Sequence, residues 1–166
     1  MGPDPRGAAM TYMRVLMVTI VVFLIDRLSK YWVVEAMDLA HVGRIDVWPP
    51  FLTFRMAWNR GINFGLFDMG DDGRWVLIGI SILVVIFVIF WTRKAGGWLI
   101  PIATGAIVGG ALGNVFDRVV YGAVADFLNM SCCGIDNPFA FNVADAAIFA
   151  GAVILIIFAD GASRKA

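Results

Sequence analysis

The chain has 166 residues, 60% of them apolar, with a mean hydropathy of +0.82 and 13 acidic residues against 13 basic ones. No ordinary soluble domain is that apolar, typical usage being roughly 45–50%, so residues 1–166 are expected to form a single integral membrane domain. A single histidine, His41, makes any Ser-His-Asp triad depend on that one imidazole, and the only cysteines, Cys132 and Cys133, are adjacent, a geometry poorly suited to tetrahedral zinc or to an unstrained disulfide.

Met1 to Met10 carries Pro3, Pro5 and Gly7 and reads as a disordered cytoplasmic tail. The apolar run Val15–Ile25 follows Arg14, is interrupted by Asp26, Arg27, Ser29 and Lys30, and resumes at Tyr31. It resembles a signal-peptide core, but no small-residue cleavage site follows it. Residues 14–34 cover about 30 Å at roughly 1.5 Å per residue, one bilayer core, and form the first expected span. The uncharged run 75–92 between Arg74 and Arg93, framed by Trp75 and Trp91, gives the second. Residues 97–116 give the third, with Gly105, Gly109, Gly110 and Gly113 permitting close helix packing. Residues 142–160 give the fourth, with Asp145 near one end.

The loops set the orientation. Arg6, Arg14, Arg93, Lys94, Arg164 and Lys165 cluster with only Asp4 and Asp160 among them, whereas six acids stand against four arginines between Glu35 and Arg74. Basic residues favour the cytoplasmic side, so both termini are expected inside and the two longer loops outside. In the first outer loop, Phe51–Trp58 alternates after the Pro49-Pro50 break and suits a short strand. Asn59-Arg60-Gly61 then turns, Ile62–Gly65 is a possible returning strand, and Leu66–Met69 a short surface segment. Val119–Leu128 alternates weakly and suits a further strand.

Acids beside lipid are rare because inserting one costs on the order of 3 kcal/mol. Asp26 and Lys30 lie four apart, share a helix face and suit a structural ion pair within the bilayer. Asn114 and Arg118 share a face at the outer end of the third span, while Asp117 points about 100° away from Arg118 and reads as an interfacial group. An arginine snorkelling to head groups would explain Arg118 but not the deeper Asn114. Asp126 and Asp145 reach the same edge of the bilayer from two neighbouring spans. Either alone reads as a loop acid or a helix-cap acid. Together, with Asn114 and Asn142 nearby and no better nucleophile in the chain, they suit an aspartyl protease dyad, in which two close carboxyls share one proton. Such a pair needs neither metal nor cofactor. The rival from another class is a small four-span proton-coupled transporter, which would want its titrating acid near the midplane rather than at the outer edge. A non-catalytic scaffold is the third reading.

Five blocks carry a family resemblance: Asp26–Lys30; Asn59–Gly65; Gly109–Arg118; Val124–Phe127; and Phe141–Asp145. In that order and spacing the chain resembles the lipoprotein signal peptidases, or signal peptidase II. The resemblance implies an all-α membrane fold, a bundle of four transmembrane helices with a small extracytoplasmic β-cradle and a surface helix. It implies that Asp126 and Asp145 are catalytic and that Asn59, Gly110, Asn114, Arg118 and Asn142 surround the substrate, with Asp26 and Lys30 supporting the bundle. The implied partners are a diacylglyceryl prolipoprotein, cut just before its lipidated cysteine, membrane lipids, and the inhibitor globomycin, but no nucleic acid. The implied location is the bacterial inner membrane, with the active site near its outer face. Asn63, where the family usually has a small residue, and Ser131-Cys132-Cys133-Gly134 depart from the pattern.

Overall fold

The computed structural model describes residues 5–61, 73–93 and 97–163, and the side chains of 9–61, 73–93 and 97–158 among them. The first helix, α1, runs from Pro5 to Lys30 and continues through a wider π-helical turn, Tyr31–Ala36. Residues 5–10 are therefore helical rather than a disordered tail. Proline is well placed at a helix start, where its missing N–H is not needed, and Arg6, Ala8, Ala9 and Met10 all favour helix. The chain reverses at Asp38, in the left-handed region at φ 56°, and makes one turn, α2 (Leu39–Val42), that buries Leu39 completely.

Strand β1 (Arg44–Trp48) and strand β2 (Leu52–Asn59) pair antiparallel around Pro49-Pro50. Strand β3 (Val124–Met130) pairs with the other side of β2, so the sheet order is β1-β2-β3. The strand expected from Phe51 to Trp58 is thus present, but its partners are β1 and β3. The expected return strand Ile62–Gly65 and surface segment Leu66–Met69 lie outside the described residues. The strand expected over Val119–Leu128 begins only at Val124, because Val119 and Val120 complete the preceding helix. Beneath the sheet, Val33, Val34, Leu39, Ala125 and Phe127 form one buried apolar cluster. This cluster ties the sheet to the end of α1.

Helices α3 (Gly73–Thr92), α4 (Leu99–Val120) and α5 (Val143–Ser163) complete the chain. Ala9–Ala36, α3 and α4 are long and apolar enough to cross a membrane, and α5 is apolar from Val143 to Phe158. Helix α4 is central and packs on α1, α3 and α5. Its glycines permit this: a Cβ at Gly105 or Gly109 would lie 2.7 Å from the carbonyls of Val15 or Thr19, and one at Gly110 would lie 2.5 Å from the carbonyl of Ala144. Such close backbone approach drives association in lipid, where apolar burial between helices contributes little. The outward faces remain apolar and exposed, as at Leu83, Phe149 and Ile156, the reverse of a water-soluble surface.

Candidate active site

The free edge of β3 places the first acid. There the backbone of Phe141 exchanges hydrogen bonds with Leu128 (3.0 and 2.8 Å) and accepts the Phe127 N–H at 3.0 Å. This bridge brings Asn142, the residue that caps α5, alongside Asp126. A one-residue bulge in β2 between Phe54 and Ala57 shifts the register so that Ala57 faces Asp126 and Asn59 faces Val124. Bulges commonly re-aim side chains beside functional sites.

The second acid is set by the cap. The Asn142 side-chain oxygen accepts the Asp145 N–H at 2.9 Å, and the Asp145 carboxylate accepts the Asn142 N–H at 3.3 Å. This reciprocal pair is a capping box, which satisfies two orphan donors at once. It fixes the Asp145 side chain at the start of α5.

Asparagines connect the two acids. Asn142 Nδ2 donates to Asp126 Oδ1 at 2.6 Å and to Asn114 Oδ1 at 3.2 Å, and Asn114 Nδ2 donates to Asp145 Oδ1 at 2.8 Å. Asn59 Nδ2 donates to the remaining oxygen of Asp126 at 3.0 Å. Asp126 is 3% exposed and Asn142 fully buried. Burial and then the nearby charge of Asp145 push the Asp126 carboxyl up to about 6, against the opposing pull of the Asn59 and Asn142 hydrogen bonds and of Lys30. A carboxyl held near 6 beside a second acid can keep or give up a proton near neutral pH, as acid–base catalysis requires. Arg118 donates to the Asn114 carbonyl at 3.3 Å. It makes no ion pair among the described residues, and its buried Nε lacks a partner there.

Of the residues singled out by sequence, Asp126, Asp145, Asn59, Asn114 and Asn142 thus meet in one hydrogen-bonded chain, with Arg118 at its side. Gly110 lies beneath it, against Ala144. Asp26 and Lys30 pair at 2.9 Å as expected, but they do not stand alone. Lys30 also meets Asp117 at 2.6 Å, and Arg27 bridges the same two acids at 2.9 and 2.6 Å. Asp117 is therefore no interfacial group: it is fully buried in a neutral tetrad with Asp26, Arg27 and Lys30. The sequence held a signal for it. Asp26, Arg27 and Lys30 together leave one positive charge inside a span, and such a charge requires a buried acid.

Known proteins share this arrangement at the level of sequence and fold. Residues 18–159 match the family model described as signal peptidase (SPase) II. The chain is 46% identical over 136 residues to a lipoprotein signal peptidase of Methylorubrum extorquens (strain PA1), covering 80% of this chain and 77% of the relative. It is 38% identical over 138 residues to that of Caulobacter vibrioides, covering 82% and 80%. A bacterial membrane enzyme solved by the in meso method at 2.3 Å resolution aligns with a TM-score of 0.70 at 26% identity, over 92% of this chain and 91% of that one. Another, solved at 1.9 Å, aligns with a TM-score of 0.73 at 28% identity, over 86% and 90%.

Proposed function

The chain belongs to the signal peptidase II family and is thereby a membrane protease, and we propose that it works as an aspartyl endopeptidase on diacylglyceryl-modified prolipoproteins. It cuts just before the lipidated cysteine and releases the signal peptide. The observation that carries this reading is the chain Asp126–Asn142–Asn114–Asp145, which joins two acids from different elements through neutral amides.

Burial favours the protonated form of Asp126, so Asp126 is the acid and Asp145 the base. Asp145 takes a proton from a water while that water attacks the scissile carbonyl, and Asp126 gives its proton to the carbonyl oxygen. The resulting tetrahedral intermediate collapses by breaking its C–N bond as the nitrogen takes the proton from Asp145 and Asp126 takes one back from a gem-diol hydroxyl, which leaves a carboxylic acid and the pair in its starting protonation. The Asn59 and Asn142 amides keep the Asp126 oxygens oriented through both steps, and Arg118, which makes no ion pair among the described residues, is placed to hold a substrate carbonyl. With both termini cytoplasmic, these groups lie near the outer face of the inner membrane, where the lipidated cysteine of the substrate resides. The transporter reading has no observation in its favour, since Asp126 sits on a strand of the sheet rather than within a spanning helix.

The deciding experiment uses purified protein and a lipidated prolipoprotein. Asp126→Asn and Asp145→Asn keep side-chain shape but cannot ionise. Each alone should abolish turnover, and the double variant should be little worse, because members of one catalytic unit are non-additive. Globomycin binding, measured in parallel, should survive. Appreciable turnover in either single variant with binding intact would sink the aspartyl mechanism.

A further inference from the structure

We propose that the buried tetrad Asp26, Arg27, Lys30 and Asp117 is a positioning device that sets the separation of Asp126 and Asp145. The inference rests on the aspartyl reading above and goes beyond support of the bundle. Each acid of the tetrad also accepts a backbone N–H from outside it, Asp26 through the oxygen that touches neither cation and Asp117 through the oxygen that also meets Lys30. Asp26 Oδ1 accepts the N–H of Ala144 at 3.1 Å, and Asp117 Oδ2 accepts the N–H of Ala125 at 3.2 Å. Ala144 immediately precedes Asp145, and Ala125 immediately precedes Asp126. The Ala144 amide is one of the orphan donors at the start of α5 and needs an acceptor from elsewhere.

Lys30 and Arg27 each contact both acids, at 2.6–2.9 Å. The two acceptors are therefore tied to each other through shared cations, and the two amides they hold are tied in turn. This links the start of α5 to strand β3 through α1 and α4, independently of the asparagine chain on the other side of the dyad. Glycine at position 113 is part of the device, since a Cβ there would lie 2.7 Å from Asp26 Oδ2. Stability alone is a poor account of the cluster. Buried ion pairs seldom outperform well-packed apolar side chains because desolvation offsets their attraction. Fixed geometry is what they supply.

The test uses the purified full chain with the lipidated prolipoprotein, and reads kcat, KM and the pH profile per folded molecule. Lys30→Met removes one bridge, and Asp117→Asn weakens the other end. In both, kcat should fall about tenfold or more, since a misplacement of about 1 Å can cost a hundredfold, while KM stays within about threefold. In Lys30→Met the alkaline limb should also move to higher pH, because the lysine charge holds the Asp126 carboxyl down. Loss of packing alone lowers the folded fraction and moves neither quantity. Where removal of a charge prevents folding, Gly113→Ala decides, for it displaces Asp26 without changing any charge and should lower kcat similarly. Wild-type kcat and pH limb in the folded variants, with Asp126→Asn and Asp145→Asn inactive, would overturn the positioning role alone. Turnover in those two dyad variants would overturn the aspartyl reading and this inference with it.

Discussion

Asn142→Ala probes the site through two independent readouts. The side chain caps α5, donates to Asp126 and donates to Asn114, all from a fully buried position. Loss of a helix cap costs about 1 kcal/mol, and each buried acceptor left unpaired costs about 1–3 kcal/mol. With Asp126 Oδ1 and Asn114 Oδ1 both orphaned, destabilisation of about 3–7 kcal/mol follows, less whatever a water entering the space restores. The hydrogen bond to Asp126 also favours its ionised form. Hydrogen bonds to charged groups contribute about 1.5–3 kcal/mol, and one pKa unit corresponds to about 1.36 kcal/mol. Removing the bond should therefore raise the Asp126 carboxyl by about one to two units above its value of about 6. On the proposed mechanism Asp126 acts in its protonated form, so activity should fall as pH rises through that value, and the alkaline limb should move upward in the variant. Thermal unfolding in detergent gives the first quantity, and the pH dependence of kcat/KM gives the second. A variant that unfolds earlier with its alkaline limb unmoved would refute the link between Asn142 and the titration of Asp126.

Gly110→Ala should lower turnover about a hundredfold with a modest change in stability, measured per folded molecule. Its Cβ would meet the Ala144 carbonyl at 2.5 Å, so α5 must shift by most of an ångström next to Asp145. Stability should also carry the signature of Asp126. Its folded pKa is raised from 3.8 to about 6, so the contribution is fully present below 3.8 and lost as pH rises through 6. At 1.36 kcal/mol per unit, the stability of the wild type relative to Asp126→Asn should drop by about 3 kcal/mol between pH 3 and pH 7.5. A difference that stays flat across that range would mean the carboxyl is not held up by burial.

The long apolar helices were legible because about twenty apolar residues in a row, the length a bilayer demands, is a signal that survives in any single sequence. The two acids were legible for the complementary reason, that charge beside lipid is expensive. Strand β1 was not, because its five residues include Arg44 and Asp46 and most of them remain exposed. Its place comes from pairing with β2 around Pro49-Pro50, a long-range choice that local pattern does not encode. Asp117 was misread because helical geometry relates it only to its own helix. Its partners, Arg27 and Lys30, come from α1, about ninety residues earlier in the chain.

The way charge is divided around the site agrees with what the proposed dyad would require. A cation in direct contact with Asp126 would favour its ionised form, and the acid could then not hold a proton near neutral pH. Among the described residues, the groups that hydrogen-bond Asp126 are instead the neutral side-chain amides of Asn59 and Asn142, which orient its oxygens with a weaker bias. Arg27 and Lys30 stand one layer further out, each between two acids of their own, so the tetrad carries no net charge. Two networks thus share the task. The amides hold the Asp126 oxygens directly, while the ion cluster reaches the backbone one residue before each acid, the contact through which, on the proposal above, it sets their spacing.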